Sequence, residues 1–552
     1  MRTECVSLAE IARRASVQRP AVSNWKRRHT DFPDPVEGAE GDLFDSAEIA
    51  AWLDGRRIPV NALRPGEQTG TTFGDRFRAA AVGADRVPAR PQEPAPSRTW
   101  IADEIMEILW RVRDFADPSD HADLVLTLLC HRFVDPGGSD RLSEDLAGVS
   151  SVDAADLFRS AWIDGMPREV GLPLDPPLPR DRDRAGETIR AVVRVLDGAG
   201  DVLRWRADAV ALYGEILERV LDSEGHRGGE FYTPRSLVHL MVDLVEPSAK
   251  DRILDPSCGT GGLLAAAADR AVPAGGREEA APPRATGQAL GERARYLAAM
   301  NLLLHGHLAD VRIGALEALD HGPRSDDRYD VVITNPPFNL ALGGRDGGGA
   351  HLPYGPTRNA VFAWLQHAVA VLSARGRAAV LTPRGATFRT QRAERSIRTA
   401  MVENGVIDCV IDLPPNLFAS TAIPVSLWIL RRGGSATDGL LLIDASRLGE
   451  ARSRTVRKLG DDDLRKITET YRGWRGGRFE GERGFARRAD LEMIRAHDHS
   501  LSPRLYVGSD VVPIDTASAE DGVLRHWDDL QRLRVCAARI DDELGKRLWG
   551  EA

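Results

Sequence analysis

Closely spaced cysteines are missing from this chain of 552 residues. Its five cysteines, Cys5, Cys130, Cys258, Cys409 and Cys536, lie far apart, which excludes the spacing of a zinc site or a dithiol redox pair. They read as reduced, buried small residues, and no metal is expected. Long apolar runs are missing as well. None approaches the length that crosses a bilayer, and the opening MRTECVSLAE has no basic stretch ahead of a hydrophobic one, so the expectation is a cytoplasmic protein with no membrane contact. Nor is there an excess of positive charge: a formal net charge of −9 rules out a chain coated in cations, so any contact with phosphates must come from local patches. What is present is an ordinary globular composition, 42% hydrophobic and 28% charged, on a chain long enough for about two to four domains.

The chain divides by texture. Ser7-Leu8-Ala9-Glu10 has the form of a helix start with a capping box, and Leu8, Ile11 and Ala12 share one apolar face. A break at Ala15-Ser16-Val17 leads to Arg19-Pro20-Ala21-Val22-Ser23-Asn24-Trp25, where Val22 and Trp25 are spaced to face the first helix. Phe44-Asp45-Ser46 then opens a third helix, and residues 1–64 read as a helix-turn-helix domain. Residues 65–99, rich in Pro, Gly, Ala and Arg, read as a flexible linker. Residues 100–227 carry helical spacing and predict an all-α domain. From 228 to 436 short apolar runs alternate with helical stretches: Arg252-Ile253-Leu254, Val311-Arg312-Ile313, Val331-Val332-Ile333, Ala378 to Leu381 and Val406 to Leu413. That alternation predicts an α/β fold with a Rossmann-like sheet, whose ligands sit beyond the carboxyl ends of the strands. Residues 437–552 read as an extension ending in a helical tail, with Leu530, Leu533, Ala537, Ile540 and Leu544 near heptad spacing.

Two motifs fall at strand ends. Asp255-Pro256-Ser257-Cys258-Gly259-Thr260-Gly261-Gly262 is a strand tip, a glycine turn and a helix start. Glycines there admit a ligand close to the backbone, and the carboxylate can hold an ammonium group. Taken alone, the pattern also suits a tight connection with no ligand. The second motif is Asn335-Pro336-Pro337-Phe338, after the buried run Val331 to Thr334. The amine of adenine is a poor nucleophile because its lone pair is delocalised into the ring. A catalyst has to accept both N–H groups, and the Asn335 side-chain oxygen and the Pro336 carbonyl are two acceptors on a backbone stiffened by proline. Phe338 can stack on a base flipped out of the duplex. In isolation Asn-Pro-Pro is a strand-ending turn; after the first motif, in the same sheet, it reads as a site.

Together with these, Gly229-Glu230-Phe231-Tyr232-Thr233-Pro234-Arg235, Ala299-Met300-Asn301-Leu302-Leu303-Leu304-His305-Gly306, Phe362 to His367 and Leu417-Phe418 through Ile423-Pro424 stand in the order of the motifs of type I restriction-modification adenine methylation subunits. The chain resembles that family from about Ile101 to Val507. The resemblance implies a class I methyltransferase sheet and S-adenosylmethionine as cofactor. It places Tyr232, Thr233 and Pro234 near the cofactor's carboxylate, Asp255, Pro256, Ser257, Gly259, Thr260 and Gly261 around its methionine end, and Asn335 to Phe338 around the target adenine. Two positions depart from the family pattern. Ala289 follows Gly287-Gln288 where an acid for the ribose hydroxyls is usual, and Ala315 follows Gly314 where an aspartate would face the cofactor's adenine; Glu292 or Glu317 would have to substitute.

The N-terminal segment is unlike the usual member. From Arg13 to Arg28 it holds six basic residues and no acid. Arg19, Lys26 and Arg27 with Ser23 and Asn24 suit a helix in the major groove, against a bland reading as a solvated charged face. The expected partners are double-stranded DNA and possible specificity or restriction subunits. A DNA-binding scaffold with an inactive methyltransferase fold, and a methyltransferase acting on a protein glutamine or on RNA, are the competing readings.

Overall fold

The computed structural model describes residues 5–15, 17, 22, 25–27, 29, 31–36, 43–58, 70–82, 97–112, 118–167, 172, 175–200, 206–224, 233–272, 284–307, 310–315, 328–338, 352–418, 421–433, 439–451 and 456–508. They fall into two compact units, residues 1–95 and 96–552.

In the first unit two short strands, β1 (Cys5–Ser7) and β2 (Leu43–Asp45), pair antiparallel with Val6 opposite Phe44, and each runs directly into a helix, Leu8–Ala15 and Ser46–Asp54. The strands were not expected from the sequence, where three-residue runs give no period. Ser7 Oγ accepts the Glu10 backbone N–H at 3.2 Å, as the capping pattern required. The Glu10 carboxylate goes to Arg13 and Arg14 at 2.6 and 3.0 Å, so part of the basic stretch is neutralised by an acid one helical turn before it. Ile11, Val22, Phe44, Ile49, Trp52 and Leu53 form the core. The linker expectation fails at Phe73–Val82, which is a helix whose Phe77 is buried in that same core. Its start is a reciprocal cap: Thr72 Oγ1 accepts the Asp75 N–H at 3.1 Å and Asp75 Oδ2 accepts the Thr72 N–H at 2.9 Å. Of the helix-turn-helix residues, Arg19, Ser23 and Asn24 lie outside the described residues.

The second unit opens with six helices: Arg98–Val112, Pro118–Val134, Pro136–Asp145, Ser151–Gly165, Arg182–Gly198 and Arg206–Glu224. Their apolar faces close around Leu126, Phe158, Trp162, Ile189 and Tyr213, and Leu297 and Met300 of a later helix, Glu292–Leu304, join that core. The helical part and the α/β part therefore share buried surface.

The α/β part is one sheet of nine strands: β3 (Arg252–Asp255), β4 (Arg284–Ala289), β5 (Asp310–Ile313), β6 (Tyr329–Thr334), β7 (Leu372–Pro383), β8 (Ile407–Asp412), β9 (Val425–Arg431), β10 (Leu440–Asp444) and β13 (Ala486–Ala489). A two-residue ribbon, β11 (Glu450–Ala451) with β12 (Arg457–Lys458), lies apart from it. The sheet order is β13-β10-β8-β9-β7-β6-β3-β4-β5. β9 runs antiparallel to both its neighbours and β13 antiparallel to β10, while the other pairings are parallel. The sheet continues beyond the expected boundary at residue 436 through β10 and β13. The sequence hides β13, because Ala486-Arg487-Arg488-Ala489 is an edge strand with two exposed arginines and no apolar run, whereas β10 stands on the apolar run Leu440 to Ile443 that the boundary at 436 left out.

From β3 the chain moves outward through β4 to β5, then returns to place β6 on the other side of β3. The direction of winding reverses between β3 and β6, which opens a crevice at their carboxyl ends. Both motifs emerge there. No helix among the described residues is long and apolar enough to cross a membrane.

Candidate active site

β3 ends at Asp255, and the turn that follows is fixed from three sides. Gly259 and Gly261 take φ of 50° and 78°, the left-handed region that glycine adopts without strain. A Cβ at Gly261 would stand 3.0 Å from the Ala298 Cα, so the turn also needs a bare residue to lie against the helix Glu292–Leu304. The Cys258 N–H donates to the Gln288 carbonyl of β4 at 2.9 Å, and Asn301 Nδ2 donates to the Thr260 carbonyl at 3.0 Å. A Cβ built on Gly262, at the first position of the helix Gly262–Ala271, meets nothing within 4 Å. The backbone there borders open space.

Asp255 is 1% exposed. Its Oδ1 accepts the Ser257 N–H at 3.0 Å, and the Thr334 hydroxyl also favours the charged form. Burial outweighs both and pushes the carboxyl up to about 7. Among the described residues no basic side chain forms an ion pair with it. A negative charge at this position is therefore short of a counter-charge.

Across the crevice, Val331, Val332, Ile333 and Thr334 are buried, and they deliver Asn335 at the adjacent strand end. Ser257 Oγ and Thr334 Oγ1, 3.2 Å apart, tie the two strand tips together. Asn335 is 7% exposed; its Nδ2 donates to Thr233 Oγ1 at 3.1 Å, while its Oδ1 is buried with no hydrogen-bond partner. A buried, unpaired carbonyl oxygen costs about 1–3 kcal/mol. Pro336 is buried, and Pro337 and Phe338 are half-buried, with Phe338 packed on the main core. Thr233 and Pro234 stand at the head of the helix Arg235–Val245, where the Pro234 carbonyl accepts the Leu237 and Val238 N–H groups. Tyr232 lies outside the described residues.

Thr233, Asp255, Ser257, Gly259, Thr260 and Asn335 thus line one small pocket. Its enclosed volume is about 20 Å³, room for one compact polar group about the size of a water. Sequence reasoning missed the roles of Thr334 and Asn301. Both are polar residues inside runs read as apolar, and that interruption was the available signal.

The two departures have a packing explanation. Ala289 is buried in a cluster with Cys258, Ala294 and Ala298, and Ala315 in one with Leu352, Ala360, Ala363 and Trp364. A carboxylate at either place would be driven into apolar surroundings. Glu292 pairs with Arg295 at 2.8 Å on the surface, and Glu317 lies outside the described residues. In the first unit, Lys26 is half-buried with its Nζ 5.4 Å from the centre of the Phe44 ring, and Arg27 is exposed.

Residues 207–512 match the family described as N-6 DNA methylase. The methylase subunit of the type I restriction enzyme HindI of Haemophilus influenzae is 30% identical over 351 residues, 61% of this chain and 77% of that one. The MjaIX methylase subunit of Methanocaldococcus jannaschii is 29% identical over 360 residues, 60% of this chain and 62% of that one. Among solved structures, the type I restriction-modification methyltransferase subunit of Streptococcus thermophilus shares the fold with a TM-score of 0.59 at 21% identity, covering 74% of this chain and 100% of that one.

Proposed function

Because this chain belongs to the N-6 DNA methylase family, and is on that ground an adenine-specific DNA methyltransferase, we propose that its cofactor is S-adenosylmethionine and that Asn335 is the acceptor that activates the target amine. The observation that carries the assignment is the Asn335 amide. Thr233 fixes its nitrogen, and its oxygen is buried and unpaired, which is costly unless a ligand N–H completes it. With the Pro336 carbonyl beside it, the site offers the two acceptors needed to draw the lone pair of an amine out of conjugation. Phe338 supplies an aromatic face for a base turned out of the stack.

The residues at the tip of β3 fit the amino-acid end of the cofactor. Asp255 lacks a cation and would hold the ammonium group, while the turn from Pro256 and Ser257 through Gly259, Thr260 and Gly261 brings backbone close enough to shape the pocket around it. Thr233 and Pro234 would border the carboxylate, next to Tyr232. When bound, S-adenosylmethionine supplies a methyl group on a sulfonium, a good leaving group. The protein's own work is then to align the amine, hold its hydrogens and keep water out, and positioning of that kind accounts for large accelerations without covalent chemistry. The scaffold alternative is not favoured, since the acceptor run Asn335 to Phe338 is complete.

The relatives named above are subunits of type I restriction enzymes, and on that likeness the partners here are double-stranded DNA and the specificity and restriction subunits of such a system. The first unit is proposed as an additional DNA contact through Arg19, Ser23, Asn24, Lys26 and Arg27. Transfer of tritium from labelled S-adenosylmethionine into DNA lacking the modification tests the assignment: label is expected as N6-methyladenine with the wild-type chain and about a thousandfold less of it with Asn335→Ala. Label found elsewhere on the DNA, or undiminished in the variant, refutes it. Removing residues 1–95 is expected to weaken DNA binding and leave cofactor affinity unchanged; equal DNA affinity would remove the first unit from the interface.

A further inference from the structure

A second concavity lies on the amino edge of the sheet, the edge opposite Asn335. The start of β7 (Ala374 to Arg377), the start of β8 (Asp408), the end of β9 (Arg431 to Gly433) and Arg488 of β13 meet there, with Trp474 and Phe479 closing one side. The cavity is about 680 Å³, within the usual range of small-molecule sites of about 300–1,000 Å³. Six arginines line it, Arg375, Arg377, Arg431, Arg432, Arg475 and Arg488, against a single acid, Asp408. In a chain of net charge −9 that concentration is a local inversion.

Structural duties account for only part of it. Asp408 takes Arg475 at 3.2 Å and Arg431 at 3.5 Å, and the Tyr471 hydroxyl donates to it at 2.7 Å. Arg377 pairs with Asp251 at 3.0 Å. Arg432 donates to the Leu372 carbonyl at 2.7 Å, which positions the guanidinium, and it forms no ion pair among the described residues. Arg375 and Arg488 are exposed and form no ion pair among the described residues. Two carboxylates cannot neutralise six guanidinium groups around one concave space, so the cavity selects a ligand carrying several negative charges. Two half-buried aromatic side chains, Trp474 and Phe479, packed on the main core, also line the cavity and add an apolar surface that an inorganic anion would leave unused.

We propose that this amino-edge cavity is a binding site for a nucleoside polyphosphate, its phosphates among Arg375, Arg432 and Arg488 and its base against Trp474 and Phe479. It is separate from the cleft between β3 and β6, which opens at the other end of the strands. The site is independent of the methyl-transfer assignment.

The test is calorimetric titration of the full chain with ATP, with inorganic triphosphate and with a short duplex, each on the wild type and on the double variant Arg375→Glu, Arg488→Glu. Both side chains are exposed and outside the transfer site, so methyl transfer to DNA reports that the variant is folded. ATP is expected to bind the wild type, to lose at least about tenfold in affinity in the variant, and to bind more tightly than triphosphate. A third arm, Trp474→Ala, is expected to erase the advantage of ATP over triphosphate. No ATP binding, or equal binding by the double variant, overturns the site. Equal affinity for triphosphate and ATP overturns the nucleoside part, and a loss confined to the duplex identifies the arginines as a contact for DNA backbone instead.

Discussion

Two carboxylates stand at the ends of parallel strands on the same edge of the sheet, Asp255 at the end of β3 and Asp412 at the end of β8. Both are almost fully buried, and burial raises both, to about 7 and about 6. Their surroundings differ in one respect. Asp412 accepts the Ser426 hydroxyl at 2.5 Å and has the Arg384 guanidinium 3.4 Å away, on the segment that leaves β7. Arg504 does the same for Asp444, the register partner of Asp412 on β10, at 3.4 Å. At β8 the chain supplies its own cations; at β3 it supplies none among the described residues. The same contrast holds for the neutral groups: Trp428 donates to Thr382 at 2.9 Å on β9 and β7, whereas Asn335 keeps an oxygen with no partner. Asp412 Oδ2 itself accepts no hydrogen bond, so what separates the two carboxylates is charge: Arg384 stands beside Asp412, whereas Asp255 has no cation among the described residues and shares its pocket with the unpaired Asn335 oxygen, which is where a ligand completes the structure.

The largest effect is expected at the unpaired oxygen. Asn335→Ala should lower methyl transfer by about a thousandfold, the scale of removing one preorganised hydrogen-bonding group, with cofactor affinity unchanged. Transfer within tenfold of wild type would place the acceptor elsewhere. Next is the carboxylate of β8. Asp412→Ala leaves the Ser426 hydroxyl and Arg384 facing a void, and chemical denaturation should report a loss of about 3 kcal/mol with no change in cofactor affinity. If that substitution instead weakens cofactor binding, the division of the edge by where the chain supplies its own cations is wrong. Smaller again is Asp255→Asn, expected to cost about ten- to hundredfold in cofactor affinity by removing a charge-assisted contact while the fold is kept.

Part of the sheet was legible in the sequence: β3, β6 and β8, strands of four to six residues, lie where the short apolar stretches Ile253-Leu254, Val331 to Ile333 and Val406 to Leu413 stand. The site motifs were legible for the same reason, since Asp255 and Asn335 are marked by the strands that deliver them. What could not be read was anything set by pairing across long separations. β13 is a strand because β10 offers it an edge, not because Ala-Arg-Arg-Ala prefers one. β1 and β2 exist through each other, and the helix Phe73–Val82 sits in a stretch whose Pro, Gly and Arg content masked a Thr72-Asp75 cap and a buried Phe77. In the site, the tie between Ser257 and Thr334 and the support of Thr260 by Asn301 join residues 77 and 41 positions apart, which no local pattern reveals.

The smallest effect expected, and the one that separates the two carboxylates most sharply, is in pH. Asp255 rises from its ordinary value of 3.8 to about 7 in the folded protein, so its ionisation works against the fold. The stability that its neutral form preserves is complete below about pH 4 and is lost as pH rises through about 7. An ammonium placed beside it reverses the preference and favours the ionised form. Cofactor affinity should therefore climb by at most about tenfold per unit as pH approaches 7 from below and level off above it. Asp255→Asn should flatten this rise, and its stability relative to wild type should grow over the same interval. Asp412→Asn should leave the affinity profile as it is, because the charge at that strand end already has Arg384. A wild-type affinity that does not vary between pH 5.5 and 8 would mean that the ammonium group lies somewhere other than the tip of β3.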